Sequence, residues 1–170
     1  MAVTLKDETI LNQWTMLVMS GAGRMDELYA AIESKLEASD IPGKCTWERA
    51  EVQTGGMLSR IRREFLIVRT NDFEDYRTYI GIRDYGAHLS CCRFITVEPG
   101  FFKRELSKAI TGGEDRLLST PRNIMVEQDL AAWAGVVHRC VIDAVRELVA
   151  ELGQDPGGVR STTRGLLEVW

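Results

Sequence analysis

Apolar positions recur along this chain with two different periods, and the period changes at recognisable breaks. Between residues 128 and 152, Leu130, Trp133, Val137, Cys140, Val141, Ala144, Val145, Leu148 and Leu152 repeat every three or four residues. That is the spacing of one helical face. Asp129 suits the positive start of such a helix, and Gly153 stands where a left-handed residue closes one. At about 1.5 Å per residue the helix spans roughly 37 Å. A second helix is predicted from Met25 to Ser39: Leu28, Ile32 and Leu36 share a face, Asp26 and Glu27 complement its start, and Pro42-Gly43 ends it. In residues 5–19, Ile10, Leu11, Trp14, Leu17 and Val18 also fall at helical spacing. The expectation there is a helix or an attached arm, although Met16 to Met19 alone reads equally as a short strand.

From Cys45 to Pro99 the period drops to two. Four strands are predicted, at about 45–53, 60–69, 76–83 and 88–98, separated by Gly55-Gly56, Asn71-Asp72 and Asp84-Tyr85-Gly86. Connections this short make neighbours antiparallel, since a parallel pair needs a long crossover. A short helix carrying Phe102, Leu106, Ala109 and Ile110 is expected next, and Ile124-Met125-Val126 reads as helix or strand. The predicted fold is therefore α+β: an antiparallel meander of four or more strands, with the long C-terminal helix and shorter helices packed on one face. Residues 1–22 are expected as an N-terminal arm or helix, 23–153 as a single domain and 154–170 as a tail.

At 170 residues, with 45% apolar and 27% charged positions, the chain has the makings of a soluble domain with its own core. A net charge of -4 argues against a general nucleic-acid binder. No run approaches the roughly 20 apolar residues that cross a bilayer. The N-terminus lacks a secretory pattern, and the four Cys form no CxxC, so reduced thiols in the cytoplasm are expected.

Candidate chemistry concentrates between Arg60 and Pro99, which hold seven Arg and no Lys. In the third strand Tyr76, Thr78, Ile80 and Ile82 are expected to face the helices, leaving Arg77, Tyr79 and Arg83 to face outward or line a groove. In the fourth, His88 lies on one face and Arg93 on the other, within a mainly apolar set. Arginine forks suit carboxylate or phosphate, and Tyr adds a flat contact with a polar tip. Arg77, Tyr79, Arg83, His88 and Arg93 are thus the candidate site for a small anion. The alternative is that the arginines pair with nearby acids on an open sheet face. Cys92 and His88 share a face but lie about 13 Å apart along the strand, too far for a thiol–imidazole pair. Gly21 and Gly23 resemble the start of a dinucleotide fingerprint, but Asp26 stands where its third Gly belongs and no strand–helix alternation follows. Neither cofactor nor metal is expected. Trp14, Trp133, Trp170 and Phe101-Phe102 exceed what a small core needs, and interfaces favour such residues. The expected function is a binding or assembly protein whose partner is itself or another protein, with anion binding or an enzyme in the Arg/Tyr/His groove as the alternative.

Overall fold

The structure, a computed structural model, describes residues 3–4, 9–41, 44–54, 61–97 and 124–165. Strand β1 is Val3–Thr4 and β2 is Thr9–Val18. Helix α1, Met25–Ala38, follows. Then come β3 (Cys45–Thr54), β4 (Ile61–Thr70), β5 (Tyr76–Tyr85) and β6 (His88–Val97). Helix α2 runs from Ile124 to Glu151, and β7 is Arg164–Gly165. The sheet order is β1-β3-β4-β5-β6-β2-β7. Its five long strands pair antiparallel with one another, and the two-residue β1 joins the β3 edge in parallel. The α+β plan, with an antiparallel meander and a long C-terminal helix, is the one the sequence predicts.

Turn chemistry sets the meander. Tyr85 pairs with His88 across the two-residue loop Gly86–Ala87, and Gly86 takes φ 63, which costs glycine no Cβ clash. Between β4 and β5, the Thr70 hydroxyl accepts from the Asp72 amide and starts a 3-10 turn over Asn71–Phe73. The β4–β5 ladder itself is short: Leu66↔Ile80, Ile67↔Tyr79 and Val68↔Thr78. Past Leu66 the strands separate, and the hydroxyl of Tyr29, from α1, enters the gap.

The first long element departs from its expectation. Thr9–Val18 is a strand along β6, not a helix. A register shift between Ile10 and Asn12 adds Leu11 to the buried set. The buried residues then read Leu11, Asn12, Trp14 and Val18, which hides the period of two. Two residues that suggested a helical stripe, Ile10 and Leu17, are 52% and 43% exposed. The ambiguous stretch before residue 128 is helical from Ile124. The helix expected at 100–112 lies outside the described residues.

Both helices bury their stripes on one sheet face. Trp133, Val137, Val141, Val145 and Leu148 of α2 join Leu28, Ile32 and Leu36 of α1 over Leu66, Ile80, Cys91 and Ile95. Each such side chain contributes roughly 1.5–3 kcal/mol by leaving water. Helix α2 ends as its sequence predicts. Gly153 has φ 70, its amide donates to the Ala150 carbonyl and that of Gln154 to the Val149 carbonyl, the two bonds of a Schellman closure. The opposite face is not bare. Val52, Phe65, Ile67 and Tyr79 form a second buried cluster there. Tyr79, expected to face outward or line a groove on this side, does lie on this face but is fully buried in the cluster, its ring edge-on to Phe65. No helix of the described residues is long and apolar enough to cross a membrane.

Candidate functional site: the open edge of strand β2

Where β6 and β2 meet α2, three buried polar side chains, Asn12, Arg93 and His138, come together. Odd residues of β6 face the helices, so Arg93 is directed into the core and is 0% exposed. Its Nη2 donates to the Asn12 Oδ1. Its Nε and Nη1 meet no hydrogen-bond partner among the described residues, and burial pushes the guanidinium down to about 10. His138 of α2 is buried nearby, edge-on to Trp14. Burial, then the Arg93 charge, pushes its imidazole down to about 4, against the opposing pull of the Ser161 carbonyl. His138 is therefore neutral at pH 7. Since a carbonyl only accepts, the 2.7 Å contact from Nε2 to the Ser161 oxygen assigns the proton to Nε2.

These buried groups hold down the segment after α2. Asp155 caps a 3-10 turn at Pro156–Gly158 through the Gly157 amide. The chain then runs back along β2 as a strap. Trp14 Nε1 donates to the Arg160 carbonyl at 2.7 Å and Asn12 Nδ2 to the Thr163 hydroxyl at 2.7 Å. Arg146 reaches the Val159 carbonyl at 3.5 Å. At its end the strap becomes β7, pairing Arg164 with Gln13 and Gly165 with Asn12.

Beyond Gln13, strap and strand diverge. Among the described residues, the outer edge of β2 from Trp14 to Val18 has no strand partner. A groove of about 540 Å³ opens there, lined by Gln13, Trp14, Thr15, Met16, Gly158, Arg160, Thr162 and Arg164. Consecutive strand residues point to opposite faces. A wall built from four in a row is therefore the edge of the strand, where backbone N–H and C=O groups project. Across the groove only alternate strap residues appear: Arg160, Thr162 and Arg164.

The five residues singled out from the sequence do not converge. Arg93 lies on the helix face. Arg77, Tyr79 and Arg83 lie on the other, with Arg77 and Arg83 about 20 Å apart along β5. Arg83 is exposed and stacks over Tyr85 at 5.2 Å. The Nδ1 of His88 accepts from the Ser20 amide at 3.1 Å. Cys92 donates to the Gly81 carbonyl at 3.4 Å. Burial raises all four thiols above their ordinary value, which keeps them protonated rather than nucleophilic. In the glycine loop, the Gly23 amide donates to the Asp84 carboxylate at 3.0 Å and the Ala22 amide to the Ala87 carbonyl; the loop is a connector docked on the β5–β6 hairpin. Trp14 and Trp133, expected as spare aromatics, are both buried in the core. Trp170 and Phe101-Phe102 lie outside the described residues. The groove went unread because residues 154–170 look like a tail. The available signal was Arg160 and Arg164, spaced at an even interval after a Pro-Gly-Gly turn.

No family model, curated protein or solved structure matches this chain.

Proposed function

We propose that this chain is a protein-binding module that takes up an extended segment along the open edge of β2. The observation that carries the reading is the half-paired edge: β7 covers Asn12 and Gln13, then turns away and leaves a walled groove beside Trp14 to Met16. Unpaired strand edges bind added strands through the main chain, with alternate side chains supplying selectivity. Buried, protonated thiols support binding over thiol catalysis.

The test is backbone amide NMR of the labelled protein titrated with a panel of extended octapeptides. Binders are expected to shift the amides of Trp14 to Val18 and to slow their hydrogen exchange. Binders that move only other regions, or a panel without binders, would overturn the reading.

A second reading is self-association through the same strand. Ile10, Leu17 and Met19, three of the large apolar side chains left exposed, all lie on β2 or just past its end. A second copy pairing its own β2 would cover them. Light scattering decides this: a mass fixed at 19.1 kDa across the micromolar range ends it.

A further inference from the structure

The chemistry of the groove specifies what kind of segment fits, given the edge-binding reading above. Its one cationic wall, the strap with Arg160 and Arg164, stands out in a chain of net charge -4. The described lining residues include Arg160 and Arg164 and no carboxylate. Several other arginines are matched: Arg24 holds Glu27 and Glu151, Arg49 holds Asp26 and Glu33, Arg69 holds Glu48, and Arg139 holds Asp143, whereas Arg83 stacks on Tyr85 and the buried Arg93 meets Asn12. Neither Arg160 nor Arg164 has an acidic partner among the described residues.

Their spacing adds a second constraint. Val159 is buried, the Ser161 carbonyl binds His138 and the Thr163 hydroxyl binds Asn12. Val159 and Thr163 thereby turn their side chains to the core, whereas Arg160, Thr162 and Arg164 line the groove. Residues 160, 162 and 164 thus present Arg, Thr and Arg with the period of an extended chain. At about 3.3 Å per residue the two guanidinium-bearing positions lie roughly 13 Å apart. A strand added in the groove repeats with the same period.

We propose that the occupant is an extended acidic segment of a partner protein, with carboxylates at alternate positions and apolar side chains between them. The carboxylates meet Arg160 and Arg164 as charge-assisted pairs, with Thr162 as a hydroxyl between them. The intervening apolar residues lie on the other side of the added strand, while its backbone completes the edge of β2.

The probes are four fluorescently labelled octapeptides read by anisotropy and by the amide shifts of β2: alternating Val-Glu, alternating Val-Lys, a blocked sequence of four Val then four Glu, and alternating Val-Glu with N-methylated backbone. The alternating Val-Glu peptide is expected to bind best, with affinity falling as salt rises. The double variant Arg160→Ser/Arg164→Ser is expected to weaken it about tenfold, the effect of roughly 1.4 kcal/mol, while its unfolding midpoint stays at that of the parent. Arg160→Glu/Arg164→Glu is expected to reverse the preference toward Val-Lys. If Val-Lys shifts the Trp14 to Val18 amides as strongly as Val-Glu, the acidic assignment is wrong and the edge reading survives. If the blocked peptide binds equally well, the alternation is wrong. If the N-methylated peptide or inorganic phosphate reproduces the response, the groove is an anion site and strand addition fails. If no peptide moves those amides, both readings fall together.

Discussion

The Tyr29 hydroxyl accepts the Ile82 amide at 3.0 Å in the middle of the sheet. The same hydroxyl donates to the Glu64 carbonyl at 3.2 Å. Extending the β4–β5 register from Leu66↔Ile80 would set Glu64 opposite Ile82. A helix side chain therefore occupies the place of a missing ladder bond and satisfies both backbone groups. Arg49 of β3 seals the arrangement, its guanidinium 4.7 Å from the Tyr29 ring centre and its fork on Asp26 and Glu33 of α1.

Tyr29→Phe keeps the ring and removes the bridge. Two backbone groups then lose their partner, at a cost of about 1–3 kcal/mol. Urea unfolding measures it. A variant as stable as the parent would show that water replaces the hydroxyl.

Opening the ladder also makes room for Phe65. A Cβ built on Gly81 would lie 2.6 Å from the Phe65 ring, and that ring is packed against Tyr79. Gly81→Ala is expected to destabilise by about 1–3 kcal/mol through overpacking. Phe65→Leu in the same chain should recover part of the loss. The outcome that counts against this account is additivity of the two changes in a double-mutant cycle.

His138 links stability to acid. Its folded value is about 4 against 6.5 ordinarily. The unfolded chain therefore takes up the proton first, so stability is full above pH 6.5 and falls as pH drops toward 4. The loss attributable to this group is about 1–3 kcal/mol. Carboxylates titrate in the same range, so the measure is the difference between the parent and His138→Gln in denaturant unfolding at a series of pH values. Parallel pH profiles would show that His138 is not the source.

Val141 is fully buried under the sheet-facing stripe of α2. Val141→Asp places an unpaired carboxyl there and is expected to cost about 4 kcal/mol or more. Circular dichroism of the purified variant should show a lost or strongly lowered melting transition; a parent-like melt contradicts the packing of α2.

Arg83 tests the sheet-face anion site that the sequence suggested. On the surface, with the Tyr85 ring beneath it, Arg83→Ala should cost less than about 1 kcal/mol. Thermal shifts in a screen of small carboxylates and phosphates should be the same with and without it. A ligand whose protection disappears in Arg83→Ala would restore that site.

The meander and α2 were legible because each satisfies one rule along its whole length: period two between Gly, Asn and Asp turns, or a stripe ending at Gly153. β2 was not, since one inserted residue at Leu11 makes a strand resemble a helical stripe. Tyr79 lies on the expected face, but its burial is not legible for a different reason. Alternation shows that two faces exist and gives no sign that Val52, Phe65 and Ile67 bury the second. The groove was invisible because strap and β2 are brought together only by tertiary bonds: Trp14, Asn12 and His138 each hold a backbone or hydroxyl group far along the chain.

That remoteness orders events in time. Asn12 and Thr163 are 151 positions apart, so a nascent chain makes β2 early, its other neighbour β6 well afterwards, and the strap later still. Long-range pairings of this kind form slowly, and an unpaired strand is a liability while it waits. The groove comes into being only when synthesis has passed Arg164, so occupancy of this edge by a partner would report that the strap has docked on β2.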